Sequence, residues 1–332
     1  MNPFTMIAAR CYASVVAIRN RGFDRGRRVR DVDRPVISVG NLTMGGTGKT
    51  PTVQWIVRFL QSQGRRPIVA LRGYGVAKGQ QSDEAIEHEN ALDGVPVLAN
   101  PDRVAAISAC LERNPDRDVV VLDDGFQHRF VARQMDLVLI DARRPLAEER
   151  LLPVGRMREP LSSLARATDV LVTHATHVAP ELADQIRAAH GRPPVAWCNH
   201  VWTGLARFDG DGLAAIPVTA IDGMRLVTRF GVAAAGGVVD QIRHHGGVIV
   251  KDVPRRDHAV ATPVEVQQLS AACESADALC VTAKDWVKLR PLIDWTTFSA
   301  PIVVPTLALS FVSGEDALKQ RILGTLASAE SS

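Results

Sequence analysis

Apolar residues in this chain gather into short continuous runs rather than alternating with polar ones. Val36–Gly40, Pro67–Leu71, Val95–Leu98, Val119–Leu122, Leu137–Ile140 and Val170–Thr173 are such runs. Runs of this length with no polar face predict strands buried on both sides of a parallel sheet. A second spacing lies between them. Val53, Ile56, Val57 and Leu60 fall at i, i+3, i+4 and i+7, which predicts a helix with one apolar face, with Gly64 placed to cap its C-terminus. A further helix is predicted with Asn100 as cap, Pro101 at its first position, and Val104, Ile107 and Leu111 on one face. Strands alternating with helices give an α/β class, here a P-loop NTPase-like parallel sheet domain over residues 21–195.

Past Ala196 the pattern loosens and then resumes. A strand is expected over Leu226–Ala233, a turn at Gly236-Gly237, a helix to His245 and a strand over Val248–Val253. Thr262-Pro263-Val264-Glu265 is a capping box with proline at the first helical position, so a helix should run to about Ser275, followed by a strand at Leu279–Thr282. Residues 196–332 therefore read as a second, smaller α/β domain, with Ala327–Ser332 as a frayed tail.

A chain of 332 residues suits two cores. It holds no window approaching the roughly 18 uninterrupted apolar residues of a membrane span. Its five cysteines are odd in number and lack C-x-x-C spacing, which argues against a disulfide framework or a zinc site and for a reducing compartment. Charge changes the picture at one end. Residues 1–30 contain seven arginines and one acid, Asp24, leaving −3 for the remainder of a chain whose net charge is +3. Within residues 1–20, Phe4, Met6, Ile7, Tyr12, Val15, Val16 and Ile18 precede the arginines that begin at Arg19. Apolar residues with a basic collar predict an amphipathic helix on a membrane surface, held by anionic head groups. A core helix is the competing reading. An export signal is not supported, because Arg10 cuts the apolar run and the basic residues follow it.

The chemistry concentrates after the first strand. Thr43-Met44-Gly45-Gly46-Thr47-Gly48-Lys49-Thr50 is a glycine-rich turn between a strand and a helix, and reads as a P-loop. Backbone N–H groups of Gly45, Gly46, Thr47 and Gly48 can wrap a phosphate, Lys49 can reach the β/γ oxygens, and the Thr50 hydroxyl can ligate Mg²⁺. Thr43 stands where this pattern usually starts with glycine. The Val119–Leu122 run ends in Asp123-Asp124, the form of a Walker B strand, so one of the two carboxylates should hold Mg²⁺ beside Thr50.

Gly40-Asn41-Leu42-Thr43 with the P-loop, Arg72-Gly73-Tyr74-Gly75, Asp83-Glu84, Asp123-Asp124-Gly125-Phe126-Gln127-His128-Arg129, Leu151-Leu152-Pro153-Val154-Gly155, Arg158-Glu159-Pro160, Asp257-His258 and Thr282-Ala283-Lys284-Asp285 occur in this order. Together they resemble the tetraacyldisaccharide 4'-kinase family of lipid A synthesis across nearly the whole chain. The resemblance implies an ATP- and Mg²⁺-dependent enzyme that phosphorylates the 4'-hydroxyl of a tetraacylated disaccharide 1-phosphate. It places the protein peripherally at the cytoplasmic face of the bacterial inner membrane, with no nucleic-acid partner. It further implies Asp83 as the catalytic carboxylate and His258 as its partner. Glu159 then joins Asp123 and Asp124 around the metal, and Arg72, Tyr74, Gln127, His128 and Arg158 lie near phosphate and acceptor.

Departures from the family pattern, at Leu71, Ala85, residues 148–150, Met157, Ala259 and Ala283, lie away from the nucleotide residues and leave room for an altered lipid acceptor. Two other classes compete, a nucleotide-hydrolysing switch or chaperone and an ATP-dependent ligase. The first commonly carries an Asn-Lys-x-Asp reader or paired cysteines, both missing from the sequence, and the second leaves the N-terminal segment unexplained.

Overall fold

The computed structural model describes residues 3–73, 82–231, 235–255 and 260–330, leaving aside the side chains at 3–6, 147, 235 and 330. The chain forms two compact units, residues 1–200 with 309–332 and residues 201–308.

The first unit opens with α1 (Pro3–Asp24), followed by β1 (Val36–Asn41), α2 (Lys49–Ser62), β2 (Pro67–Leu71), α3 (Asp83–Ala91), β3 (Val97–Ala99) and α4 (Arg103–Arg113). β4 (Val119–Asp123), β5 (Met135–Asp141), β6 (Asp169–Thr173), α5 (Pro180–His190) and the start of β7 (Ala196–Asp209) complete its N-terminal part. The sheet order is β7-β6-β5-β1-β4-β2-β3, and the pairings are parallel throughout. β1 lies centrally, with Val39 opposite Asp123 of β4 and Asn41 opposite Leu139 of β5. The P-loop and the carboxylate pair therefore emerge at the same sheet edge, where α/β sheets bind ligands.

Continuous apolar runs became strands because both faces are covered. β1, β2, β4, β5 and β6 are buried at every residue. The predicted α2 stripe, Val53, Ile56, Val57 and Leu60, is fully buried on one face of the sheet. At roughly 2 kcal/mol for each such side chain, that stripe alone approaches the net stability of a domain. α4 begins later than its sequence suggested. The Asn100 side chain accepts from the Asp102 N–H, and Asp102 is the cap, accepting from Ala105 N at 3.1 Å. An Asx turn thus displaces the helix start past Pro101.

The second unit contains β8 (Gly212–Ile216), which pairs antiparallel with β7, then β9 (Arg225–Arg229), α6 (Ala235–His244) and β10 (Val248–Asp252). It ends with α7 (Pro263–Cys273), β11 (Ala278–Val281), α8 (Ala283–Leu289) and the first half of β12 (Ile302–Ser313). Its parallel order is β10-β9-β11-β12. Gly236 and Gly237 lie inside the first turn of α6 rather than in a turn before it. Thr262 caps α7 as expected, its hydroxyl accepting from Glu265 N at 3.2 Å.

β12 carries the chain back to the first unit, where α9 (Glu315–Glu330) packs Leu318, Ile322 and Leu326 into the α2 core. Residues expected to fray are thus helical to Glu330. This packing also assigns the last residues to the first unit, whereas the sequence grouped 196–332 together.

Candidate active site

The P-loop is fixed by side chains from the ends of two strands. β1 ends at Asn41, whose buried amide donates to Thr43 O at 2.7 Å and to Thr47 Oγ1 at 2.9 Å. Thr173 at the end of β6 donates to Thr47 O at 2.9 Å. Gly48 takes φ 82° as the residue before α2, a left-handed conformation that favours glycine. A Cβ there would also lie 2.4 Å from the His200 ring. Thr43 needs no such freedom. It bridges Met157 in extended pairing, while Leu42 O accepts from Arg158 N at 2.7 Å, so a β-branched residue suits the position where the P-loop pattern usually has glycine.

Lys49 opens α2, and its Nζ lies 3.5 Å from both Asn41 Oδ1 and Asp124 Oδ1. Asp124 stands just past β4 at φ 49° and accepts twice from Arg158 Nη1, at 2.8 and 2.9 Å. Desolvation would raise its carboxyl, but Lys49 and Arg158 outweigh it and hold it below the usual carboxylate range. Asp123 is buried. Its Oδ2 lies 2.9 Å from His88 Nε2, and its Oδ1 has no hydrogen-bond partner. Burial would lower the His88 imidazole, yet the Asp123 bond and charge raise it above its ordinary value.

A buried orphan oxygen is where a cation would sit. Mg²⁺ takes one or two carboxylates and leaves its other positions to water and phosphate, so Asp123 beside the P-loop fits it without a larger acidic cage. Among the described residues no group of three or more His, Cys, Asp and Glu forms such a cage.

Gln127 and Arg158 brace this loop. Gln127 Nε2 donates to Asn41 O at 2.9 Å, and Arg158 Nη1 reaches Gln127 Oε1 at 3.3 Å. Glu159 is buried with both oxygens taken. Arg166 forks onto them at 2.8 Å each, and Asn20 donates to Oε2 at 2.7 Å. To reach a metal, Glu159 would have to exchange that fork. The imidazole of His128 is pushed down to about 4 by burial and by the charges of Arg103, Arg133, Arg19 and Arg72. Arg72 follows β2, so its charge belongs to the same edge. Asp83 is half-buried as the first residue of α3, behind the Ser82 cap, where the helix dipole favours a carboxylate. Tyr74, Asp257 and His258 lie outside the described residues.

Helix α1 closes one side. Tyr12 donates to Arg158 O at 2.9 Å, Arg19 to Gln127 O at 2.6 Å, and Asp24 pairs with Arg129 at 2.8 Å. Phe23 packs edge-on against Phe130. Ile7, Val15 and Ile18 point the other way and are 60%, 64% and 68% exposed. No helix among the described residues is long and apolar enough to cross a membrane.

Sequence reasoning overlooked His88, Asn20, Arg103 and Arg166. His88 falls three residues after the buried Ala85 on α3, which reads as an ordinary inward position. Nothing local signals that its partner is Asp123, 35 residues on.

A lysine-bearing glycine turn and a strand-end carboxylate at one edge of a parallel sheet define a P-loop nucleotide-binding protein. The family model described as tetraacyldisaccharide-1-P 4'-kinase matches residues 1–327, and the chain belongs to that family. A tetraacyldisaccharide 4'-kinase from Geobacter sulfurreducens is 37% identical over 302 residues, covering 85% of this chain and 83% of the relative. One from Anaeromyxobacter dehalogenans is 33% identical over 311 residues, covering 87% and 81%. The crystal structure of LpxK from Aquifex aeolicus in complex with ATP superposes with a TM-score of 0.73 at 23% identity, covering 97% of this chain and 98% of that one.

Proposed function

We propose that the protein transfers the γ-phosphoryl group of ATP to the 4'-hydroxyl of a tetraacylated disaccharide 1-phosphate, working on the cytoplasmic surface of the inner membrane. The observation that carries this reading is the grouping of Lys49, Asp123 and Asp124 at the P-loop of a chain in this family. Phosphoryl transfer asks the protein mainly for positioning and charge neutralisation. The P-loop amides of Gly45, Gly46, Thr47 and Gly48 cradle the phosphates, and Lys49 leaves Asp124 to neutralise charge on the transferring group. Thr50 and Asp123 would hold Mg²⁺, with Asp124 and Glu159 nearby, and the ion would neutralise the β- and γ-oxygens.

Asp83 accepts the proton of the attacking hydroxyl and His258 assists it, while the bond from the γ-phosphorus to the β-bridging oxygen breaks and ADP leaves. Arg72, Tyr74, Gln127, His128 and Arg158 surround phosphate and acceptor. The exposed apolar face of α1 and its arginines dock on anionic lipid, so a substrate with four acyl chains need not leave the bilayer.

The test is transfer of ³²P from γ-labelled ATP to tetraacyldisaccharide 1-phosphate in mixed micelles, beside Lys49→Ala and a lipid-free control. Labelled lipid from the unmutated protein alone is expected. Hydrolysis without lipid labelling would refute this acceptor and direct attention to another lipid.

A further inference from the structure

We infer that His88 is a positioning residue for the phosphate site, fixing the Asp123 carboxylate through its Nε2 so that the free Oδ1 is presented to the metal. The inference rests on the proposed role of Asp123.

An ionised carboxylate can only accept, so Nε2 carries the proton and donates across the 2.9 Å contact. Both partners are shielded from water, His88 at 0% and Asp123 at 3% exposure. A buried polar pair of this kind does little for stability compared with an apolar pair of the same volume, so direction is what it adds. Carboxylates that bind metals are themselves held by hydrogen bonds, and losing such a support typically weakens metal binding about 10- to 100-fold. One oxygen bonded and one orphaned is the arrangement that this role requires.

The bond has a second consequence. His88 sits five residues after Asp83 on the same helix, about 7.5 Å along its axis. The contact therefore ties the helix bearing the proposed base to the strand bearing the metal carboxylate.

Mn²⁺ binding to the full-length protein in the presence of a non-hydrolysable ATP analogue, followed by electron paramagnetic resonance, tests this without turnover. His88→Leu keeps volume and loses the donor, whereas His88→Gln keeps an amide N–H. His88→Leu should weaken Mn²⁺ by about tenfold, and His88→Gln should stay within about twofold. Analogue binding in EDTA should be unchanged in both. Should His88→Leu fail to fold, His88→Asn replaces it, because its amide falls short of Asp123. Equal losses in the donor-keeping and donor-free variants, or no loss in either, would overturn the inference. Asp123→Asn separates the two layers of the argument. If it abolishes Mn²⁺ binding while His88→Leu does not, only the His88 role fails, and if it too leaves Mn²⁺ bound, the metal assignment fails with it.

Discussion

Lys49 Nζ and Asp124 Oδ1 face each other at 3.5 Å, so the lysine that should meet nucleotide phosphate is already engaged by a carboxylate. An incoming phosphate has to compete with that anion. Removing the charge should therefore favour the phosphate by about 1 kcal/mol, the scale of a partly exposed ion pair, or roughly fivefold in affinity. Titration calorimetry of ADP into Asp124→Asn in EDTA should show the tightening. Weaker binding would mean that Asp124 orders the loop rather than opposing the ligand.

Asp83 is expected to act on the acceptor and not on the nucleotide. Asp83→Asn should lower kcat by about 10²- to 10⁴-fold, the usual range for general-base loss, while ATP affinity stays within about twofold. A collapse of ATP binding would instead place this carboxylate at the metal.

In the second unit, Arg229 is completely buried between Glu265, at 2.9 Å, and Asp285, whose carboxylate also accepts from Gly231 N and Thr282 Oγ1. Arg255 meets the same Glu265 oxygen at 2.9 Å. Arg229→Ala would leave two buried carboxylates short of their counter-charge, which typically costs about 3–5 kcal/mol. Chemical denaturation monitored by tryptophan fluorescence should record it, and a loss below about 1 kcal/mol would show that water or Arg255 can substitute.

Acid should weaken the protein through His200. Burial first, then the neighbouring His174 and Arg143, push its imidazole down to about 3, and neither ring nitrogen has a hydrogen-bond partner. The unfolded chain binds a proton near pH 6.5 that the folded chain refuses, so stability falls as pH drops below that value. At pH 5 the loss from this group is ~2 kcal/mol. His200→Phe should remove it, so the stability difference between variant and unmutated protein should move by that amount in urea melts at pH 7 and pH 5. A difference constant with pH would show that His200 titrates normally.

Ile7, Val15 and Ile18 form the outward stripe of α1. Replacing Val15 and Ile18 with Glu should release the protein from anionic vesicles in a sedimentation assay while preserving turnover of substrate dispersed in detergent. Unchanged sedimentation would overturn the proposed docking of α1 on a membrane surface.

The parallel sheet was legible because burial on both faces leaves unbroken apolar runs, and the strand–turn–helix around Lys49 was legible because phosphate binding needs fixed residues at fixed spacing. Asp123 and Asp124 could be read from the run before them. His88, Arg166 and Asn20 could not, since each acts through a partner distant in sequence and looks ordinary beside its neighbours. The first half of β7 and the hairpin with β8 went unread for another reason. Along β7 buried and exposed residues follow no steady period, so neither template fits it. Thr282-Ala283-Lys284-Asp285 was read as a family signature, and the structure gives it a local purpose. Thr282 caps α8, and Asp285 anchors Arg229.

The return of the chain along β12 makes the second unit an insertion within the first. Leu318, Ile322 and Leu326 of α9 fill a core whose other walls, Val53, Ile56 and Leu60, lie more than 250 positions earlier. The core of the first unit therefore lacks part of its packing until residues beyond the inserted unit have been synthesised. A chain stopped short of α9 would leave the cluster around Val53, Ile56 and Leu60 without three of its buried side chains, so a break near the 3' end of the message reaches the helix that Lys49 opens.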